Sequence, residues 1–206
     1  SYEFAKAEMI KGGTLAMQSP NPEVLVAIKR KNMSREKYED LGRRYTEKGI
    51  PIYTDMILGL PLETKESWFR GLTGLFSTGL HSDVRQFELF LLPNTPMNKK
   101  SEREKYGIKT KWKKLWPYRL PDENGMVELV CGTDTMPFKD WLDCGAFSDI
   151  VVATFHNGGY TRFISQFLYK EGHLSYYEFY DALFHYFKEK KDTLTGGILN
   201  RIIRLQ

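Results

Sequence analysis

The sequence predicts an α/β fold built on parallel strands, and three observations carry that expectation. Between residues 11 and 93, strand-like and helix-like runs follow one another as strand, helix pair, strand, helix, strand. This βαβ order is the pattern of a parallel sheet with right-handed crossovers. Each helical run opens on a residue suited to cap it: Asn21, Ser34 or Thr64. The middle strand, IPIYTDMIL (50–58), is almost wholly apolar, as a strand covered on both faces must be, yet it contains Asp55. A buried carboxylate needs a partner or a ligand. The bland alternative is an acid at a strand end, wetted by a loop.

The elements follow in order. KGGTLAMQS (11–19) forms a short strand after a glycine turn. Asn21 then caps a helix with Pro22 at its first position, and Val24, Ala27 and Ile28 make its apolar stripe. Ser34 caps a second helix, where Tyr38, Leu41 and Tyr45 share a face and Gly49 ends the run. After strand 50–58, Thr64 caps a third helix carrying Trp68, Leu72, Leu75 and Phe76, stopped by Gly79. The strand DVRQFELFLLP (83–93) follows. Alternation places Val84, Gln86, Glu88, Phe90 and Leu92 on one of its faces and Arg85, Phe87, Leu89 and Leu91 on the other.

Beyond Pro93 the alternation stops. Segment 98–119 holds nine Lys/Arg against two Glu and reads as a solvated basic connection between packed units. Its interleaved Trp and Tyr would also suit contact with nucleic acid, a more distant reading. ENGMVELVCGT (123–133) is a strand after an Asn-Gly turn. The rest is helical: one helix closing at HNGG, then YTRFISQFLYKE, then SYYEFYDALFHYFKEKK capped by Ser175. Phe163, Phe167, Tyr176, Tyr177, Phe179, Phe184, Tyr186 and Phe187 crowd these helices at core-like spacing. The alternative is an aromatic wall over the mouth of the front half. The organisation expected is therefore 1–95, a basic linker over 96–122, and a helical region over 123–206.

Composition sets outer limits. With 206 residues and a net charge of +4, the chain can bury a real core and is not strongly basic. No apolar run approaches the roughly 20 residues that span a bilayer. The first residues lack the basic start and apolar middle of a signal peptide, and Ser rather than Met stands first, which suggests a fragment of something longer. Two cysteines and four scattered histidines offer no metal-ligand spacing, so no metal site is expected from this chain alone. So few cysteines fit a reducing cytoplasm better than a secreted disulfide framework.

Parallel sheets meet their ligands at the carboxyl ends of the strands. Gln18 and Ser19, Asp55 to Gly59, and Leu91 to Asn94 all fall there. Gln86 and Glu88 could meet a substrate if their face points into a barrel; otherwise they are edge polarity.

GTLAMQSPNPEVLVAIKRKN followed by YTDMILGLPLETKESW resembles the second half of a radical S-adenosylmethionine (SAM) barrel. The likeness is strongest to the cobalamin-binding branch and to the oxygen-independent coproporphyrinogen oxidase type. It covers roughly residues 8–95 and implies the last three βα units of a partial (β/α)6 TIM-like barrel, followed by a mostly helical region. By this resemblance Gln18 meets the SAM ribose, with Ser19 a weaker candidate beside it. Arg30 pairs with the methionine carboxylate. Asp55 binds ribose, Ile57 packs on adenine, Gly59 lets the backbone come close, Glu63 steadies the turn, and Leu92 lies near adenine. Leu62 stands where the family often has glycine, which is tolerable if its φ is negative. The cysteine triplet C-x-x-x-C-x-x-C that ligates a 4Fe–4S cluster is absent. The resemblance thus implies a piece of a larger enzyme, inactive alone. The N-terminal half of that protein would hold the cluster. The whole would cleave SAM reductively to a 5′-deoxyadenosyl radical, act on a small-molecule substrate, and possess cobalamin for methyl transfer if it follows that branch. Two other functions compete: a binding module that keeps the half-barrel without the cluster, and a TIM-like enzyme using Asp55 and Glu88 as acid and base.

Overall fold

A computed structural model describes residues 3–4, 12–79, 83–114 and 125–205. Lys11, His81, Asn124 and residues 115–119 of the basic segment lie outside the described residues.

Three parallel strands form the front sheet: β1 (Gly13–Thr14), β2 (Ile52–Leu58) and β3 (Asp83–Glu88), in that order. The sequence expects a longer first strand, and the difference has a local cause. Leu15 N still donates to Tyr53 O at 2.7 Å, but Met17 N and Gln18 N then both donate to Asp55 O, at 3.1 and 2.9 Å. Two residues against one is a bulge, and Gln18 takes φ 65° to make it. Ile57 N donates back to Gln18 O at 2.8 Å, so pairing resumes beyond the bulge.

Helices α1 (Pro22–Ala27) and α2 (Arg35–Glu47) connect β1 to β2, and α3 (Lys65–Gly74) leads from β2 toward β3 through a 3-10 turn at Leu75–Thr78. The caps are those the sequence predicts: Asn21 accepts from Glu23 N, Ser34 from Lys37 N, and Thr64 from Ser67 N. Such caps are short-range hydrogen bonds, so they need no tertiary information.

One face of β2 is fully covered: Ile52, Thr54, Met56 and Leu58 are buried. Tyr38 Oη of α2 is hydrogen-bonded to Thr54 Oγ1, and Met56 lies against Gly71 of α3. Tyr53, Asp55 and Ile57 occupy the other, half-buried face. Register then settles the question left by the third strand. Val84, Gln86 and Glu88 pair with Thr54, Met56 and Leu58, on the helix-covered side. Gln86 and Glu88 therefore face away from Asp55, and Glu88 is in an ion pair with Lys113. The substrate role expected of these two depended on the opposite orientation.

The predicted strand 83–93 changes partner midway. After Glu88, residues 89–91 run antiparallel to β5 (Met126–Gly132): Leu91 N donates to Glu128 O at 2.8 Å and Val130 N to Leu89 O at 2.9 Å. β5 also pairs antiparallel with β4 (Lys109–Lys114). Where described, the basic stretch is thus regular structure. It contains α4 (Lys100–Lys105) and β4, and Arg103 holds Glu128 with both ends of its guanidinium fork.

Four helices follow: α5 (Phe138–Val151), continued by a π-helical turn at Val152–Asn157, then α6 (Arg162–Lys170), α7 (Tyr176–Glu189) and α8 (Leu194–Leu205). They pack on α3 and on the covered face of the sheet. Phe69 stacks on Phe147 at 3.6 Å and Phe76 on Phe155 at 3.9 Å, while Trp68 Nε1 donates to Ser148 Oγ at 2.9 Å. Of the tail aromatics, Tyr176, Tyr180 and Phe184 are core, whereas Phe163, Phe167 and Tyr186 are exposed. The sequence reading did not single out α8, because Gly196 and Gly197 interrupt it. A Cβ on Gly196 would stand 1.8 Å from Lys190 O, so glycine is what lets this turn close.

Among the described residues, no helix is long and apolar enough to cross a membrane, and no three His, Cys, Asp or Glu are grouped to hold a metal ion. Cys131 and Cys144 are free and buried, and burial pushes both thiols up.

Candidate functional site at the carboxyl rim

The carboxyl ends of β1, β2 and β3 form a rim on which Gln18, Ser19, Asp55, Ile57, Gly59 and Leu92 all fall. Gln18 and Met56 are bridge partners, so Gln18 stands between Asp55 and Ile57 in the pairing of β1 with β2. Asp55 Oδ1 is buried and meets no hydrogen-bond donor among the described residues. A native buried acceptor without a partner calls for an explanation. The arrangement can accept one further hydrogen bond, from a hydroxyl or an N–H supplied by something outside these residues.

The rim is braced from below. Glu63 is fully buried and accepts from Ser19 Oγ at 2.6 Å and from Ser67 Oγ, joining the end of β1 to the cap of α3. Burial pushes its carboxyl up, and bonds from Ser19, Ser67 and Asn21 oppose that shift. Thr135 Oγ1 donates to Glu63 O at 2.8 Å, which ties the later region to the same turn.

Gly59 has φ 99°, and a Cβ there would lie 3.3 Å from Val130 O. The backbone that comes close is β5, so glycine is required by the fold at this position. Leu62, at φ 64°, departs from the negative φ under which a non-glycine is easily tolerated. A left-handed conformation costs an L-residue roughly 1–2 kcal/mol, and Leu62 is 36% exposed, so its side chain returns little. Leu62→Gly is expected to raise stability by about 0.5–1 kcal/mol after the added entropy of glycine. A urea midpoint that rises with unchanged slope checks it; a fall would show that the leucine side chain outweighs the strain.

Two strapping residues escaped the sequence reading or changed role. Asn32 Nδ2 donates to Met17 O at 2.8 Å and Ser19 O at 3.0 Å, clamping both sides of the bulge. Nothing in KRKN marks it, because its acceptors are main-chain atoms brought near only by folding. Arg30 donates through Nη2 to Ala16 O at 2.8 Å and through Nε to Asn32 Oδ1 at 3.2 Å. It lines a cleft on the helix-covered side, so the structure does not bring it together with Leu92.

Leu92 instead borders a pocket of about 340 Å³, walled by Ile28 and Lys29 after α1 and by Leu89, Leu91 and Met97 after β3, which Gln18, Asp55 and Ile57 do not line. Both walls turn on residues held at positive φ, Lys29 at 54° and Asn94 at 64°. Such backbone tends to concentrate at sites of binding.

No family model matches the chain. Among curated proteins it is similar to 2-(S-pantetheinyl)-carbapenam-3-carboxylate methyltransferase of Streptantibioticus cattleyicolor, with 39% identity over 211 residues, 99% of this chain and 31% of that protein. It is also similar to the cobalamin-dependent radical SAM methyltransferase TokK of Streptomyces tokunonensis, with 40% identity over 206 residues, 98% of this chain and 30% of that protein. The chain spans about a third of the length of the curated relatives it matches.

Proposed function

This chain belongs, over the segment it spans, to the cobalamin-dependent branch of the radical SAM proteins, and from that premise we propose that its carboxyl rim holds S-adenosylmethionine. The observation that carries the proposal is the buried Asp55 Oδ1 without a donor. A ribose hydroxyl supplies what that oxygen lacks. Gln18, fixed beside it by the bulge, takes the second ribose contact, and Ile57 and Leu92 flank the adenine. Ser19 and Glu63 hold the strand end in place through their 2.6 Å bond. Arg30 straps β1 at Ala16 from the helix-covered side, away from Asp55, so the methionine carboxylate is not assigned to it. In this reading residues 1–95 are the second half of a partial barrel and 123–206 its helical support.

The residues described do not fit a 4Fe–4S cluster: both cysteines are buried with thiols pushed up, and no third ligand is grouped with them. The cluster and cobalamin are therefore assigned to parts of the whole protein outside this chain. Together with SAM they supply one-electron chemistry that ends in methyl transfer to carbon. What this chain contributes is binding and orientation of SAM, and exclusion of water by the packed rim. Its relatives are named as methyltransferases, and for the whole protein we take the same reaction class, on a small-molecule substrate.

The test uses the full-length protein, reconstituted anaerobically with iron and sulfide. Hydrogen bonds to a charged group contribute ~1.5–3 kcal/mol, so Asp55→Ala is expected to weaken SAM binding by about ten- to a hundredfold. Formation of 5′-deoxyadenosine should fall with it. Unchanged SAM affinity in the variant would remove Asp55 from the site. Failure of the parent protein to assemble a cluster or bind SAM would leave a binding module derived from the same fold.

A further inference from the structure

On the helix-covered side of the sheet, away from Asp55, a second cleft of about 520 Å³ opens between residues 30–35 and α3. Its floor is apolar, formed by Leu25, Tyr38 and Leu75, and four cations stand around it: Arg30, Lys31, Arg35 and Arg70. No carboxylate lines it. Two of these cations have acidic neighbours outside the cleft. Arg35 meets Glu39 at 2.7 Å and Arg70 meets Glu66 at 2.9 Å. Both pairs are well exposed, and exposed pairs of this kind hold their partners weakly. Arg30 bonds only to neutral oxygens, and Lys31 has no ion pair or side-chain hydrogen bond among the described residues.

We propose that this cleft binds an organic phosphate, with its phosphoryl group among the cations and its apolar or aromatic body on the floor. Guanidinium forks match phosphate oxygens two at a time, and a lysine adds a point charge. With Glu39 and Glu66 offsetting Arg35 and Arg70, the surplus of Arg30 and Lys31 equals the double charge of a phosphomonoester. The volume lies within the range of ordinary small-molecule sites, about 300–1,000 Å³. A recess with an apolar floor favours a compact ligand over a protein surface. This site is separate from the rim proposed for SAM.

Gly74 supplies a clean way to close it. Gly74 lines the cleft, has helical φ −62° and ψ −25°, and a Cβ there meets nothing within 4 Å. Calorimetric titration of the full chain with ATP as the probe, beside inorganic phosphate and SAM, decides the proposal. ATP is expected to bind at one site, with inorganic phosphate at least tenfold weaker. The pair Lys31→Glu with Arg35→Glu should weaken ATP at least tenfold, and Gly74→Trp should abolish its binding. Should Gly74→Trp fail to fold, Gly74→Leu and the charge-reversed pair carry the decision. The proposal is overturned if ATP does not bind at millimolar concentration or if filling the cleft leaves its affinity unchanged. It is equally overturned if inorganic phosphate binds as tightly as ATP, or if SAM displaces ATP, which would place the nucleotide on the rim.

Discussion

Replacing Asp143 with alanine is expected to lower folding stability by about 3–5 kcal/mol, the usual loss when one partner of a buried ion pair is removed. Asp143 lies on α5 and is 2% exposed. It receives Lys65 from α3 at 2.6 Å and Lys188 from α7 at 2.6 Å. Burial alone would push its carboxyl up, but the two ammonium groups outweigh that and hold it low. One side chain thus joins three helices, and alanine leaves two cations facing each other around a gap. Because the folded carboxyl titrates below the unfolded value of ~3.9, its contribution is present at neutral pH. It is lost as the pH falls below about 4 and toward the lower, folded value. Urea unfolding at pH 7 and at pH 3 measures this: the gap between parent and Asp143→Ala should be wide at the first and narrower at the second. An equal gap at both would mean that packing, and not charge, makes the residue matter.

Phe147→Ala is expected to cost about 3–5 kcal/mol, the range for truncating a buried phenylalanine. Phe147 is fully buried, stacked on Phe69 at 3.6 Å and edge-on to Phe184 at 5.7 Å. Those three rings belong to α5, α3 and α7, the same helices that meet at Asp143. The loss combines transfer of the ring to water with a cavity that backbone packing keeps from collapsing. Denaturant unfolding of Phe147→Ala and Phe147→Leu checks it, with leucine expected to recover more than half of the loss. Equal stability of the two variants would show that the cavity closes freely. Both Phe147→Ala and Asp143→Ala should weaken SAM binding in the whole protein only as far as they lower the folded fraction, since neither side chain belongs to the rim.

Much of the architecture was legible because it is local. Asn21, Ser34, Thr64 and Ser175 cap their helices through bonds to residues two or three positions away. The alternation of buried and half-buried residues along β2 follows directly from a period of two. An acid inside that strand could be noticed without any structure. Its lack of a donor could not, because that depends on every atom folded around it.

Where the reading stopped, the cause was distance along the chain. Gln86 and Glu88 lie on a face that only the register with Met56 and Leu58 and the helices above it identify. The change of partner after Glu88 needs β5, some forty residues later, to supply Glu128 O as acceptor and Val130 N as donor. Leu62 has the composition of an ordinary turn residue, yet it takes φ 64° in the turn where Glu63 N donates to Leu60 O. The sequence by itself determined the order of elements from β1 to β3 and the helix caps, since these rest on hydrogen bonds and periodicities within a few residues. The tertiary structure decided which faces look at each other, which carboxylates are braced or left open, and where the cations gather around a cleft. Those outcomes arise from burial and charge between segments whose meeting no local pattern encodes.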